Sequence, residues 1–278
     1  MAMKPTTIYL HIGHGKTGTT AIQSALAHSA DHLKRKKILY PMTADERAKA
    51  VAFDITSGNW KHDPNISIFE QIQQQLKDNP SYEAIMLSSE SLFWQITTLL
   101  KDKEKWENKF KLHIILAVRE LEEMLSSEYQ QRVKRHGENR PFEQFLRSHH
   151  FVSSHHKRAA TVLNLIQKLN IKTTVLNYSK NKFQISKLIF DTINSAETYP
   201  AKAMEGLIIN RSLSQKELQF LTMINALYHE KHPWISARLS DALAKQLPHV
   251  QSQPCRISAN SRRKLYELNE KFIATINN

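Results

Sequence analysis

The sequence predicts an α/β fold in which helices flank a parallel sheet and a helical cap follows at the C-terminus. Four short, mainly apolar runs, residues 8–12, 84–87, 112–118 and 173–176, read as strands buried in a parallel sheet. Helical spacing alternates with them, at residues 17–28 and 121–135 and around residues 161–168. From about Leu213 onward strand signals stop, and residues 215–228, 236–246 and 258–276 read as successive helices. The expected organisation is one domain over residues 1–278, with a nucleotide-binding core at 1–195 and a helical extension at 196–278. Residues 42–65 and 195–211 lack periodicity and are rich in turn formers, so they read as loops over the ligand edge of the sheet.

Composition excludes several classes. The chain is 41% hydrophobic and 23% charged, near globular averages, which argues against a disordered or fibrous protein. The net charge of +13 suits nucleotides, acidic sugars or an anionic membrane surface, and peripheral membrane contact is compatible with it. A nucleic-acid partner is not expected, because no paired Cys/His finger and no glycine-aromatic RNA-binding sequence is present. The single cysteine, Cys255, has no intrachain partner and reads as an inert thiol. Residues 1–7 pass straight into a strand-like segment, and no apolar run approaches the ~20 residues that span a bilayer. A cytoplasmic location is the expectation.

The densest chemical signal follows the first strand: Gly13-His14-Gly15-Lys16-Thr17-Gly18-Thr19-Thr20, then a good helix opening. Glycines let a backbone curl so that successive N–H groups converge, and the positive end of the following helix dipole adds to their field. Lys16 adds a mobile cation, and Thr17, Thr19 and Thr20 add hydroxyl donors. In the nucleotide triphosphatase loop lysine directly follows the last glycine, whereas here Lys16 and Thr17 precede Gly18. The order Gly-x-x-Lys-Thr-Gly-Thr-Thr after a strand resembles the 5′-phosphosulfate loop of sulfotransferases.

That resemblance implies a P-loop-type fold and a donor, 3′-phosphoadenosine 5′-phosphosulfate, which leaves as adenosine 3′,5′-bisphosphate. It implies that Gly15, Lys16, Thr17, Gly18, Thr19 and Thr20 hold the 5′-phosphate, with Lys16 meeting charge on the departing oxygen. A 3′-phosphate needs a second anion site. Arg119 ends the third apolar run and Ser127 lies eight residues on, with Tyr129 nearby, an arrangement that sulfotransferases share. Tyr178, after the fourth run, resembles the family's aromatic beside adenine, although the acidic residue often found after it is missing. No metal is required by the family mechanism. An acceptor hydroxyl or amine also needs a base, and Glu90, directly after a strand, is the first choice, with Glu46 and Asp54 as rivals. Glu90 also reads as a cap on the next helix. A carbohydrate or glycolipid acceptor suits the basic balance. The other readings are a P-loop kinase or triphosphatase, and a nucleotide-binding homologue without chemistry.

Three remaining signals read as structural. The histidines at 149, 150, 155 and 156 have no Cys or acidic neighbour in sequence to complete a metal set, and solvated or substrate-facing rings are expected. His14 reads either as near the ligands or as exposed. Ser214 and Glu217 have the spacing of a capping box, which leaves a binding role for Arg211 open, and residues 261–264 form a basic cluster on a helix.

Overall fold

A computed structural model describes residues 5–54, 58–61, 63–206, 211–252 and 254–277. Asn210, which precedes Arg211, and parts of the 42–65 and 195–211 segments lie outside the described residues. The chain divides into two compact units, Met1–Arg119 with Thr161–Leu207, and Glu120–Ala160 with Ile208–Asn278.

The first unit holds a five-stranded parallel sheet: β1 (Thr7–Gly13), β2 (Ile38–Leu39), β3 (Ala84–Ser88), β4 (Lys111–Val118) and β5 (Lys172–Asn177), in the order β2-β3-β1-β4-β5. Its helices are α1 (Thr19–His28), α2 (Ala30–Arg35), α3 (Ala44–Val51), α4 (Ile68–Asp78), α5 (Glu90–Lys101) and α6 (Lys103–Trp106), with α10 (Ile185–Thr192) and α11 (Ala201–Met204) after β5. The sheet is held by burial. Ile8, Leu10 and Ile12 of β1 are fully buried, and Leu10 lies in register with Leu87 on one side and Ile114 on the other. On one face α1 and α10 close a core of Ile22, Ala25, Leu26, Ile189 and Phe190.

Because every strand runs the same way, the carboxyl ends of β1, β3, β4 and β5 share one edge. The chain's path also changes side at β1, with β2 and β3 to its left in the order and β4 and β5 to its right. A sheet of this kind opens its ligand crevice at that point.

Local structure departs from the sequence pattern where elements are short or polar. β2 is two residues long, too short to carry periodicity. Within the segment read as loop, α3 forms with Ala50 as its only buried residue, so it has no apolar stripe to detect. A capping box holds it instead, with Thr43 Oγ1 accepting from the Glu46 N–H and Glu46 accepting from the Thr43 N–H. β5 is an edge strand in which only Leu176 is buried.

The second unit is helical. It comprises α7 (Leu121–Arg135), α8 (Phe142–Ser148), the start of α9 (Ser154–Lys168), α12 (Gln215–Tyr228), α13 (Ile235–Gln246) and α14 (Ala259–Asn277). Leu121, Leu125, Tyr129 and Val133 of α7 pack with Phe142, Phe145, Leu218, Leu221 and Leu265. Ser214 and Glu217 form the expected capping box at α12, and Arg211 braces it with two bonds to the Glu217 carboxylate, at 2.6 and 2.9 Å, and one to Leu243 O. Among the described residues no helix is long and apolar enough to cross a membrane.

Asn269, fully buried on α14, serves three backbone groups: Nδ2 donates to Phe151 O and Leu265 O, and Oδ1 accepts from the Ser153 N–H. Replacing it with leucine leaves buried polar groups without partners, each costing about 1–3 kcal/mol. Asn269→Leu is expected to lower the unfolding free energy by about 2–4 kcal/mol, read from chemical denaturation.

Candidate functional site: a phosphate-type loop at the sheet edge

After β1 the backbone turns through two residues of positive φ, Lys16 at 77° and Gly18 at 81°. Alternation of this kind turns neighbouring N–H groups toward one point, which makes an anion-binding concavity. Gly18 is required twice over: its φ is left-handed, and a Cβ there would stand 2.9 Å from Tyr178 Cε2. Lys16 adopts a positive φ without that freedom, and its side chain is exposed. Downstream, α1 starts with no side-chain cap and no acidic residue in its first turn. Its first N–H groups therefore have no capping acceptor of their own and add to the loop's positive field.

The loop is braced from inside. Thr17, fully buried, donates its hydroxyl to His14 O at 2.8 Å. His14 is buried too, its ring edge-on to Phe93 and its Nδ1 donating to Gly15 O at 2.8 Å. Burial overturns the exposed reading of His14. It also commits the Thr17 proton to the backbone, because a hydroxyl has only one to give.

Three other strand ends close on the loop within the same unit. Arg119, directly after β4, donates from Nη1 to Lys16 O at 2.9 Å and lies over the Tyr178 ring at 5.0 Å. The Tyr178 N–H donates to Val118 O, which fixes that ring beside β4. From β3 comes Glu90, the first residue of α5. Ser89 is the N-cap of that helix, so Glu90 is not the cap itself. Glu90 Oε1 accepts from Thr19 Oγ1 at 2.7 Å, and a Cβ on Gly15 would stand 3.1 Å from Glu90 Oε2. Lys16, Thr19, Glu90, Arg119 and Tyr178 are therefore brought together. Thr20 is half-buried in the first turn of α1. Ser127 lies half-buried on α7, in the second unit, and Tyr129 on the same helix is core, its hydroxyl donating to Arg140 O.

The rival carboxylates are placed differently. Glu46 is taken up by its capping box and by Lys61 Nζ at 2.6 Å. These bonds hold its carboxyl below the usual carboxylate range, Lys61 contributing most. Asp54 is exposed after α3. The four histidines in series separate: His149 donates to Phe145 O, His155 sits 3.5 Å from Glu128, and His156 bonds Ser153 Oγ. Among the described residues no group of three or more His, Cys, Asp or Glu side chains could hold a metal ion. Arg262 is bound through two contacts to Glu122, and burial pushes the Cys255 thiol up.

One buried network under the loop has no sequence signal. His11 Nδ1 bonds Ser88 Oγ at 2.8 Å, and Gln23 Nε2 donates to the same oxygen. Asn59 then pairs with the end of β3 like an added strand, its N–H donating to Ser88 O and its Oδ1 accepting from the Ser88 N–H. Burial holds His11 at about 4, well below its ordinary value. His113 is lowered to about 4, first by burial and then by Lys172.

A histidine lowered in this way resists protonation when folded, so between about pH 4 and 6.5 the unfolded chain binds more protons. Stability should therefore fall as pH drops through that window, by up to about 1.4 kcal/mol per pH unit for each histidine. His11→Gln is expected to remove its share of the slope, measured as urea midpoints at pH 7, 6, 5 and 4.5.

No family model and no curated protein matches the chain. Similar solved structures include the sulfotransferase domain of the Synechococcus PCC 7002 olefin synthase, at 13% identity and a TM-score of 0.41, covering 98% of this chain and 97% of that one. A sulfotransferase domain from the curacin biosynthetic pathway is 15% identical, with a TM-score of 0.41 and coverage of 96% and 98%. Retinol dehydratase in complex with retinol and PAP is 12% identical, with a TM-score of 0.36 and coverage of 99% and 82%. The first two of these solved structures are sulfotransferase domains, and the third is a retinol dehydratase bound to PAP.

Proposed function

We propose that the chain is a sulfotransferase that uses 3′-phosphoadenosine 5′-phosphosulfate to sulfate a hydroxyl or amine, on a carbohydrate or glycolipid acceptor. One observation carries the reading: Arg119, on a separate strand, is bonded to the carbonyl of Lys16 in the phosphate-type loop. A second cation is thereby fixed beside the first anion site, as a nucleotide with two phosphate positions requires.

The donor supplies a sulfuryl group whose S–O bond to the phosphate breaks as the acceptor oxygen or nitrogen bonds to sulfur, the electron pair staying on the phosphate oxygen. Lys16 is exposed on the loop and offers its ammonium to that oxygen, where negative charge grows during transfer. Loop N–H groups, with Thr20, hold the 5′-phosphate. Thr17 contributes by bracing the loop. Arg119 is the proposed 3′-phosphate ligand, and Tyr178 is the proposed adenine platform. Glu90 takes the acceptor's proton.

Adenosine 3′,5′-bisphosphate is expected to stabilise the protein in thermal-shift measurements, by about 2.7 kcal/mol at one hundred times its dissociation constant. ATP and GTP should shift it less, and a preference for either would overturn the reading in favour of a triphosphate enzyme. Glu90→Gln should lower sulfuryl transfer by about 10²–10⁴-fold while binding the bisphosphate at least as tightly as the wild type. Unchanged turnover would move the base elsewhere.

A further inference from the structure

Thr19 carries one hydroxyl proton, and in this structure Glu90 receives it at 2.7 Å. The carboxylate is confined on other sides as well: it opens α5 behind the Ser89 cap, and Oε2 lies against Gly15, where a Cβ would come within 3.1 Å. Thr19 is in turn the first residue of α1, directly after left-handed Gly18, and so belongs to the same turn that would hold an anion. A hydroxyl donates to one acceptor at a time. The neighbouring Thr17 cannot substitute, since its proton is already on His14 O.

We propose that Thr19 is a positioning residue that switches between two acceptors, giving its proton to Glu90 in the free protein and to the donor's 5′-phosphate once that is seated. Binding of the donor then releases Oε1 of Glu90, and the freed carboxylate takes the proton from the acceptor as the acceptor bonds to sulfur. Two anions compete for one donor, so phosphate binding has to displace an existing hydrogen bond. The base is more strongly basic once the donor is in place, which favours an order in which the donor binds first. The coupling stands on the donor site proposed above.

The test is a set of calorimetric titrations with adenosine 3′,5′-bisphosphate. Glu90→Gln and Glu90→Ala both remove the charge, but glutamine keeps an oxygen that can hold the Thr19 hydroxyl and alanine does not. E90A is therefore expected to bind the bisphosphate about three- to tenfold more tightly than E90Q, the worth of one hydrogen bond. The difference should vanish when both are combined with T19V and return with T19S, which restores the hydroxyl. Equal binding by E90A and E90Q, or a difference that persists with T19V, would overturn the switch. Failure of the wild type itself to bind the bisphosphate would overturn the donor reading, and the switch with it.

Discussion

The whole ligand edge depends on β1 being clamped between β3 and β4 in parallel register. Because Leu10 is locked opposite Leu87 and Ile114, the strand cannot slip, and its end at Gly13 falls level with Ala117 of β4. A one-residue slip would turn every core side chain to the other face. It would also move Lys16 away from Arg119 and Gly15 away from Glu90. The register of the core thus sets the geometry of the loop, and the hydrogen bond between Arg119 and Lys16 O fastens the two together.

Hydroxyls in the loop divide their work according to where their single proton goes. Thr17 faces inward and stiffens the turn, Thr19 reaches across to another helix, and Thr20 is half-buried at the helix start. Stiffness matters because Lys16 is held at a φ that side chains rarely adopt, at a cost on the order of 1–2 kcal/mol. Buried Thr17 and His14 supply the opposing contacts, both made to the loop's own carbonyls.

Much of this was legible in the sequence, and what was not has a common physical cause. The bounds of α7 and α12 could be read from periodicity, and the Ser214–Glu217 box from its spacing, because those signals lie within a few residues. The loop from Gly13 to Thr20 was legible for the same reason. The contacts that surround the loop are distant in sequence: Thr19 to Glu90 spans 71 positions and Lys16 to Arg119 spans 103. No local pattern encodes them. Nor does one encode Asn59, whose pairing with β3 depends on where a loop happens to return. α3 escaped notice because a helix with one buried residue shows no stripe, although its Thr43–Glu46 cap was there to be read.

Neither compact unit is a continuous stretch of chain. The chain leaves the first unit after Arg119 and re-enters it at Thr161 to lay β5 against β4. During synthesis, β4 therefore waits with an unpaired edge while everything between Val118 and Lys172 is made, a delay of several seconds at about 5–20 residues per second. An open, apolar strand edge invites pairing with other chains. Helical segments that form in the interval, α7 and α8 among them, are rich in local contacts and fold fast. The interleaved order thus leaves the β4 edge open to misassembly until β5 arrives.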